Sequence, residues 1–298
     1  MSRIFDALQR SQGDSPIPRA TTPNQPASAV GSVLETNAGE NASSAAATAV
    51  QPSIDWLSVP SDRVLHPQPT PEQRIVALTN PNGASAEMFR VLSTRLAHMK
   101  DKRALTKVLV SSAVVDEGKS VVAVNLAIAM AQRPGERILL VEADLRRPTA
   151  SSLLTSTPTR GITEWHRGEL AIEDALYRIG TLPLWFLSAG AGISEPLPVL
   201  ESLDFANMLE AISAHFDWVV IDSTPMLPMA DAASLARLSD GVLVVVREGQ
   251  TRRKILNKAL DTVERKKVLG MVLNDAASQQ TTYDHFGGYY GVKKDGSK

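Results

Sequence analysis

A lysine and a serine directly after a glycine, Gly118-Lys119-Ser120, form the grouping in this chain best suited to hold a string of phosphates. The stretch Ser111 to Ser120 reads SSAVVDEGKS, and Ala113 to Ser120 fill the frame G-x-x-x-x-G-K-[ST], departing from it only at Ala113. A loop of this kind curls successive backbone N–H groups around an anion. It needs a glycine where a phosphate comes close and a helix N-terminus behind it. Gly118 supplies the close approach, Lys119 would bridge the β- and γ-phosphates of ATP, and the Ser120 hydroxyl would ligate Mg2+. Val115, Asp116, Glu117, Gly118, Lys119, Ser120 and Val121 are the nucleotide-binding residues expected from this loop.

Two further segments bring carboxylates. RILLVEADLRRP ends an apolar run with Glu142, Asp144 and Arg146, and WVVIDSTP ends another with Asp222. An acidic residue at a strand end is usually a solvated turn residue or a helix cap. Two of them beside a GKS loop favour a magnesium site, with Asp222 in the place of a Walker B carboxylate. Ser120, Asp144 and Asp222 are the metal ligands expected. A third grouping lies in the last residues, YDHFGGYYGVKKDGSK, which hold Tyr283, Tyr289 and Tyr290, three of the four tyrosines of the chain.

These groups need a scaffold that brings distant segments together. Short apolar runs, Val108 to Val110, Ile138 to Val141, Leu184 to Leu187, Trp218 to Ile221, Val242 to Val246 and Val268 to Leu273, alternate with helical stretches. The helices are expected over Lys119 to Gln132, Ile172 to Ile179, Ser202 to Phe216, Ala230 to Leu238 and Arg252 to Val263. Strands that read as continuous apolar runs are buried on both faces, so the fold class is α/β. A doubly wound, mostly parallel sheet with helices on both faces places its site at the carboxyl ends of the strands. An entry helix precedes it from Ser85 to Met99, with Met88, Leu92, Leu96 and Met99 at helical spacing and Ser85 as its cap.

The order of the GKS loop, ILLVEADLRRP, FDWVVIDSTP and DAASLARLSDGVLVVVREGQT, together with GITEWHRGEL and LSAGAGISEPLPVLES between them, resembles the bacterial tyrosine kinases of exopolysaccharide and capsule synthesis. Those are P-loop proteins related to the MinD and ParA ATPases, and the resemblance covers about residues 75 to 290. It implies a protein-tyrosine autokinase that uses ATP and Mg2+. In that family the second strand carries Asp-x-Asp followed by Arg, which Glu142, Asp144 and Arg146 match with Glu in the first place. The resemblance implies catalytic parts for Lys119, Asp144, Glu142, Arg146 and Asp222, an adenine contact at Asn274, and phosphate acceptance by Tyr283, Tyr289 and Tyr290. It also implies a partner, a membrane polysaccharide co-polymerase that regulates chain length, and assembly into a homo-oligomer through Glu-x-x-Arg-x-x-Arg. Here that pattern reads Glu87, Arg90, Ser93, with Arg95 nearby. The loop carries Val115-Asp116 where the family commonly has Pro-Gly. Two other readings stay open, a switch ATPase of the MinD or ParA type and an ATP-binding structural subunit of the same export system. Against the first, Val114 stands where those ATPases carry a signature lysine.

Composition narrows the field. A net charge of -1 gives no electrostatic reason to expect nucleic acid, and the absence of cysteine removes disulfides and thiolate metal sites. The five histidines show no metal-ligand spacing. No apolar run approaches the roughly 20 residues that span a bilayer, and MSRIFDALQRSQGD lacks the features of a signal peptide, so a cytoplasmic place is expected, peripheral to the inner face of the membrane through a partner. Residues 1–12 would form a short amphipathic docking helix, with Ile4, Phe5 and Leu8 on one face. Residues 13–74 read as a disordered linker rich in Pro, Ser and Ala, 75–280 as the P-loop domain, and 281–298 as a flexible tyrosine-bearing tail.

Overall fold

The computed structural model describes residues 57, 59–157 and 159–275. The docking helix expected over 1–12, most of the linker, and the tyrosines Tyr283, Tyr289 and Tyr290 lie outside the described residues.

Eight strands form one sheet: β1 (Val64–Leu65), β2 (Lys107–Ser112), β3 (Ile138–Glu142), β4 (Leu176–Ile179), β5 (Leu184–Leu187), β6 (Trp218–Asp222), β7 (Gly241–Arg247) and β8 (Val268–Asn274). Their order across the sheet is β1-β4-β5-β3-β6-β2-β7-β8. The six strands from β5 to β8 in that order run parallel, while β4 lies antiparallel to β5 and carries β1 beside it. The order β3-β6-β2 matters most for function. It sets the carboxyl ends of three strands side by side, and each of those ends carries one of the motifs read in the sequence.

Alternation along each strand feeds two cores. One face of the sheet buries Leu109, Leu139, Val141, Val219, Ile221 and Val244 with α7 (Leu203–Ser213) and α8 (Asp231–Leu238). The other buries Val108, Val110, Ile138, Leu140, Val220 and Val245 against α3 (Lys119–Ala131). From Val122 to Ala131 every residue of α3 is buried, because α2 (Ala84–Lys100) covers the side that the sheet leaves open. Helix α3 begins on the GKS residues, so a helix fixed from two sides holds the phosphate loop.

Several expectations need correction. The segment Ile172 to Ile179 is a 3-10 turn over Ile172–Ala175 followed by strand β4, not a helix. Cross-strand rings explain the change: Tyr177 pairs with Phe186 and Arg178 with Trp185, and the Arg178 guanidinium lies 5.2 Å from the Trp185 ring. Helix α2 starts at Ala84 after Gly83, and its Met88 is exposed. Ser93, third in the assembly pattern, is buried, whereas Glu87 is exposed and forms a salt bridge of 2.7 Å with the half-buried Arg90, and Arg95 is exposed.

The stretch before α2 contains β1, two 3-10 turns and α1 (Val76–Thr79). Asn125 accounts for this. It is fully buried on α3, accepts the Ala77 N–H at 3.0 Å, and donates to the carbonyls of Arg74 at 3.0 Å and Val121 at 2.8 Å. One amide thus satisfies two backbone groups of the incoming chain and fastens it across the phosphate helix. Replacing Asn125 by Leu leaves those groups unpaired, and the expected cost is about 1–3 kcal/mol of folding stability. Denaturant unfolding measures the cost, and faster proteolysis between residues 65 and 80 reports the freed strap.

A phosphate loop facing two buried carboxylates

Strand β2 ends at Ser112, and the chain then turns tightly into α3. Two residues of the turn take left-handed backbone, Asp116 at φ 62 and Gly118 at φ 88. A side chain at Gly118 would be strained by that φ and would collide with the amide of Asn274, so only glycine fits. Three contacts brace the turn from inside. Glu117 is buried, and its carboxylate accepts the Val114 N–H at 3.0 Å and the Thr251 hydroxyl. The Glu117 carbonyl accepts the Asn274 amide at 2.9 Å. Val115 and Asp116 are exposed at the tip, so the Asp116 carboxylate stays in solvent, and Val121 lies half-buried just inside the helix.

Lys119 turns inward. Its Nζ lies 2.8 Å from Asp144 Oδ2 and 3.8 Å from Asp222 Oδ1, and it donates to Ser120 Oγ at 3.1 Å. Burial alone would lower the lysine pKa, but Asp222 and Asp144 outweigh it and the net shift is upward, so the ammonium keeps its charge. Asp222 is wholly buried, and both its oxygens lack a hydrogen-bond partner. Burial pushes its pKa up and the Lys119 charge opposes the rise. The Ser120 hydroxyl opposes it too, although it makes no hydrogen bond of ordinary geometry to either oxygen. Two orphaned carboxylate oxygens beside a serine hydroxyl and the Asp144 carboxylate form a hard oxygen donor set. That set fits Mg2+, an ion that takes one or two carboxylates and completes its shell with phosphate oxygens and water. Among the described residues no group of three or more His, Cys, Asp or Glu forms a ready metal cage.

The remaining sequence candidates fall elsewhere. Glu142 sits opposite Asp222 in the β3–β6 register, yet its carboxylate is spoken for: Oε1 accepts the Ser151 N–H at 2.9 Å and Oε2 accepts the Ala189 N–H at 3.2 Å. It ties the end of β3 to α4 (Ala150–Leu154) and to the loop after β5. Arg146 reaches sideways to Asp231, with Nε 2.7 Å from Oδ2 and Nη2 3.3 Å from Oδ1. Asn274 braces the phosphate loop from the end of β8, with its amide nitrogen on the loop carbonyl. The structure therefore gathers Lys119, Ser120, Asp144 and Asp222 into one cluster and sets Glu142, Arg146 and Asn274 around it as supports. Sequence reading missed Thr251, Asp231 and Asn125. Nothing local marks them, because each acts on a residue far away in the chain.

Burial is the largest influence on Glu142 and lifts its pKa from 4.5 to about 7, with Asp222 adding to the rise and the Ser151 and Ala189 amides opposing it. The folded chain therefore holds this proton to higher pH than the unfolded chain. Stability contributed by the protonated form is present below pH 4.5 and is lost as pH rises to about 7, by at most ~3 kcal/mol. In magnesium-free buffer, denaturant midpoints of the parent should fall across that window by more than those of Glu142→Gln, which has no such proton to lose.

Comparison with known proteins places the chain in a family. Residues 115–268 match the family described as an AAA domain. The chain is 30% identical over 225 residues to the tyrosine-protein kinase YwqD of Bacillus subtilis, covering 74% of this chain and 93% of that one. It is 32% identical over 211 residues to the succinoglycan biosynthesis transport protein ExoP of Rhizobium meliloti, covering 68% of this chain but only 27% of ExoP. The solved kinase domain of the Escherichia coli tyrosine kinase ETK superposes with a TM-score of 0.63, with 27% identity over 68% of this chain and 82% of that domain. A phosphate loop, paired carboxylates at adjoining strand ends and these relatives lead to one assignment: the chain belongs to the bacterial tyrosine kinase family of P-loop proteins.

Proposed function

We propose that this protein is an ATP-dependent protein-tyrosine autokinase whose activity regulates exopolysaccharide or capsule polymerisation and export. The observation that carries the reading is the Lys119 ammonium held 2.8 Å from Asp144 and 3.8 Å from Asp222, at the mouth of a loop that opens a buried helix. In this reading the loop N–H groups and Lys119 take the phosphates. Ser120, Asp144 and Asp222 would hold Mg2+, which would neutralise phosphate charge. The bond from the γ-phosphorus to its bridging oxygen breaks as the bond to a phenol oxygen forms, and ADP leaves. A carboxylate at the end of β3, Asp144 or Glu142, orients the phenol and takes its proton. Asn274, anchored on the loop, would contact the adenine. Tyr283, Tyr289 and Tyr290 are the acceptors, offered within a homo-oligomer.

ExoP is named for transport, and this chain matches about a quarter of it, 27%. By that precedent a separate membrane polysaccharide co-polymerase supplies the remainder, and residues 1–12 dock the kinase to it at the inner face of the membrane. Among the described residues no helix is long and apolar enough to cross a membrane.

The test is transfer of label from γ-labelled ATP to the purified full chain. The parent should become labelled on tyrosine, and the Tyr283/Tyr289/Tyr290→Phe variant should lose the label while still binding ATP. Lys119→Met should lower labelling by about 100-fold or more. Phosphate release without any labelled tyrosine would instead identify a switch ATPase, and ATP binding without turnover a structural subunit.

A further inference from the structure

Arg146 lies just past β3 and Asp231 opens α8, 85 positions later, yet their side chains meet as a fork on a carboxylate, with contacts of 2.7 and 3.3 Å. The third guanidinium nitrogen, Nη1, donates to the Ser194 carbonyl at 2.5 Å. Three loops converge here: the one after β3, the one after β5 and the one after β6. The second is bound to the first by its backbone as well, since the Ile193 N–H donates to the Leu145 carbonyl at 2.8 Å. Gly192 lies so near that a side chain there would meet the Arg146 carbonyl at 3.4 Å.

Burial separates this pair from an ordinary helix cap. Asp231 is 1% exposed, whereas the Arg146 side chain keeps 30% of its surface. An aspartate at the first turn of a helix does its electrostatic work while solvated. A buried carboxylate is expensive and persists where a well-aligned partner compensates it. Arginine meets that need through a planar fork that lysine lacks. The pair also sits between the two chemically active strand ends. Asp222 closes β6, whose following loop leads to Asp231. Asp144 precedes Arg146 by two residues, gives Oδ2 to Lys119 and uses Oδ1 to accept the Arg147 N–H at 3.1 Å. The backbone that Arg146 anchors is therefore the backbone that aims Asp144.

We infer that Asp231 is a positioning residue for phosphoryl transfer, acting through Arg146 to fix the loop that carries Asp144. This rests on the proposed phosphoryl-transfer reading of the site. It goes further in naming a residue that touches neither the phosphate loop nor the expected magnesium ligands. Its failure should appear in turnover and not in nucleotide capture, since Lys119, Ser120 and the loop amides remain in place.

The experiment measures ADP formation by the full chain with MgATP, which counts transfer to tyrosine and to water alike, together with ATP affinity and thermal melting. Asp231→Asn should lower kcat by about 10–100-fold while KM for ATP stays within about twofold. Arg146→Lys should do the same, and the double variant should be no slower than the worse single, because both changes break one device. Asp231→Glu keeps the charge but moves the fork by a methylene. It should melt like the parent and lose about 10-fold in kcat, so it carries the test even where Asp231→Asn does not fold. Unchanged kcat in Asp231→Glu, or losses that multiply in the double variant, overturns the inference. A parent that forms ADP without labelled tyrosine refutes the kinase reading and leaves the pair measurable, whereas a parent that forms no ADP overturns both.

Discussion

Like charges crowd the centre of this molecule, and one ammonium group makes that tolerable. The sheet order brings Asp144 and Asp222 to neighbouring strand ends, and both are buried. Without compensation, such a pair would protonate or push its strands apart. Nζ of Lys119 lies within salt-bridge distance of both, and it can do so because α3 starts where β2 stops. An arriving triphosphate competes with these carboxylates for the same cation, so the site in this structure is poised against its own ligand. Asp144 and Asp222 are also the oxygen donors that would hold Mg2+, whose charge would then offset theirs.

The supports around this cluster are polar groups placed where they act on backbone. Glu142, Asn125 and Asn274 bind main-chain N–H or carbonyl groups of other segments, and Glu117 binds the Val114 N–H of its own loop and the Thr251 hydroxyl of another. Each fixes a loop that the sheet alone would leave free. Stiffness at the site thus comes from a ring of buried hydrogen bonds, and the apolar cores on either side of the sheet exclude the water that would loosen them.

Much of this was legible in the sequence, for reasons tied to particular residues. The GKS triplet, the apolar runs ending in Asp144 and Asp222, and the β-rich spacing all carry local signals, and the structure joins them as expected. The segment Ile172 to Ile179 was misread because its identity as a strand depends on Phe186 and Trp185 across the sheet. Glu142 was read as a catalytic group because it precedes Asp144 in a familiar pattern. Its side chain also accepts the Ser151 and Ala189 N–H groups, and no spacing rule encodes those contacts. The strap before α2 is illegible for the same reason, since Asn125, 48 and 51 positions ahead of its partners Ala77 and Arg74, fastens it.

The central strand has a consequence for how the chain is made. Strand β2 pairs with β6 and β7, and Ser111 reaches the Thr224 carbonyl across a separation of 113 residues. The loop that β2 leads into is braced by Asn274, which lies 157 residues beyond Glu117. During synthesis from the N-terminus, the phosphate loop therefore emerges early and waits, with its central strand unpaired, until most of the domain has been made. Pairings of this range are slow to close. The brace that Asn274 gives the phosphate loop is available only once β8 has emerged, so the loop is made long before its last support.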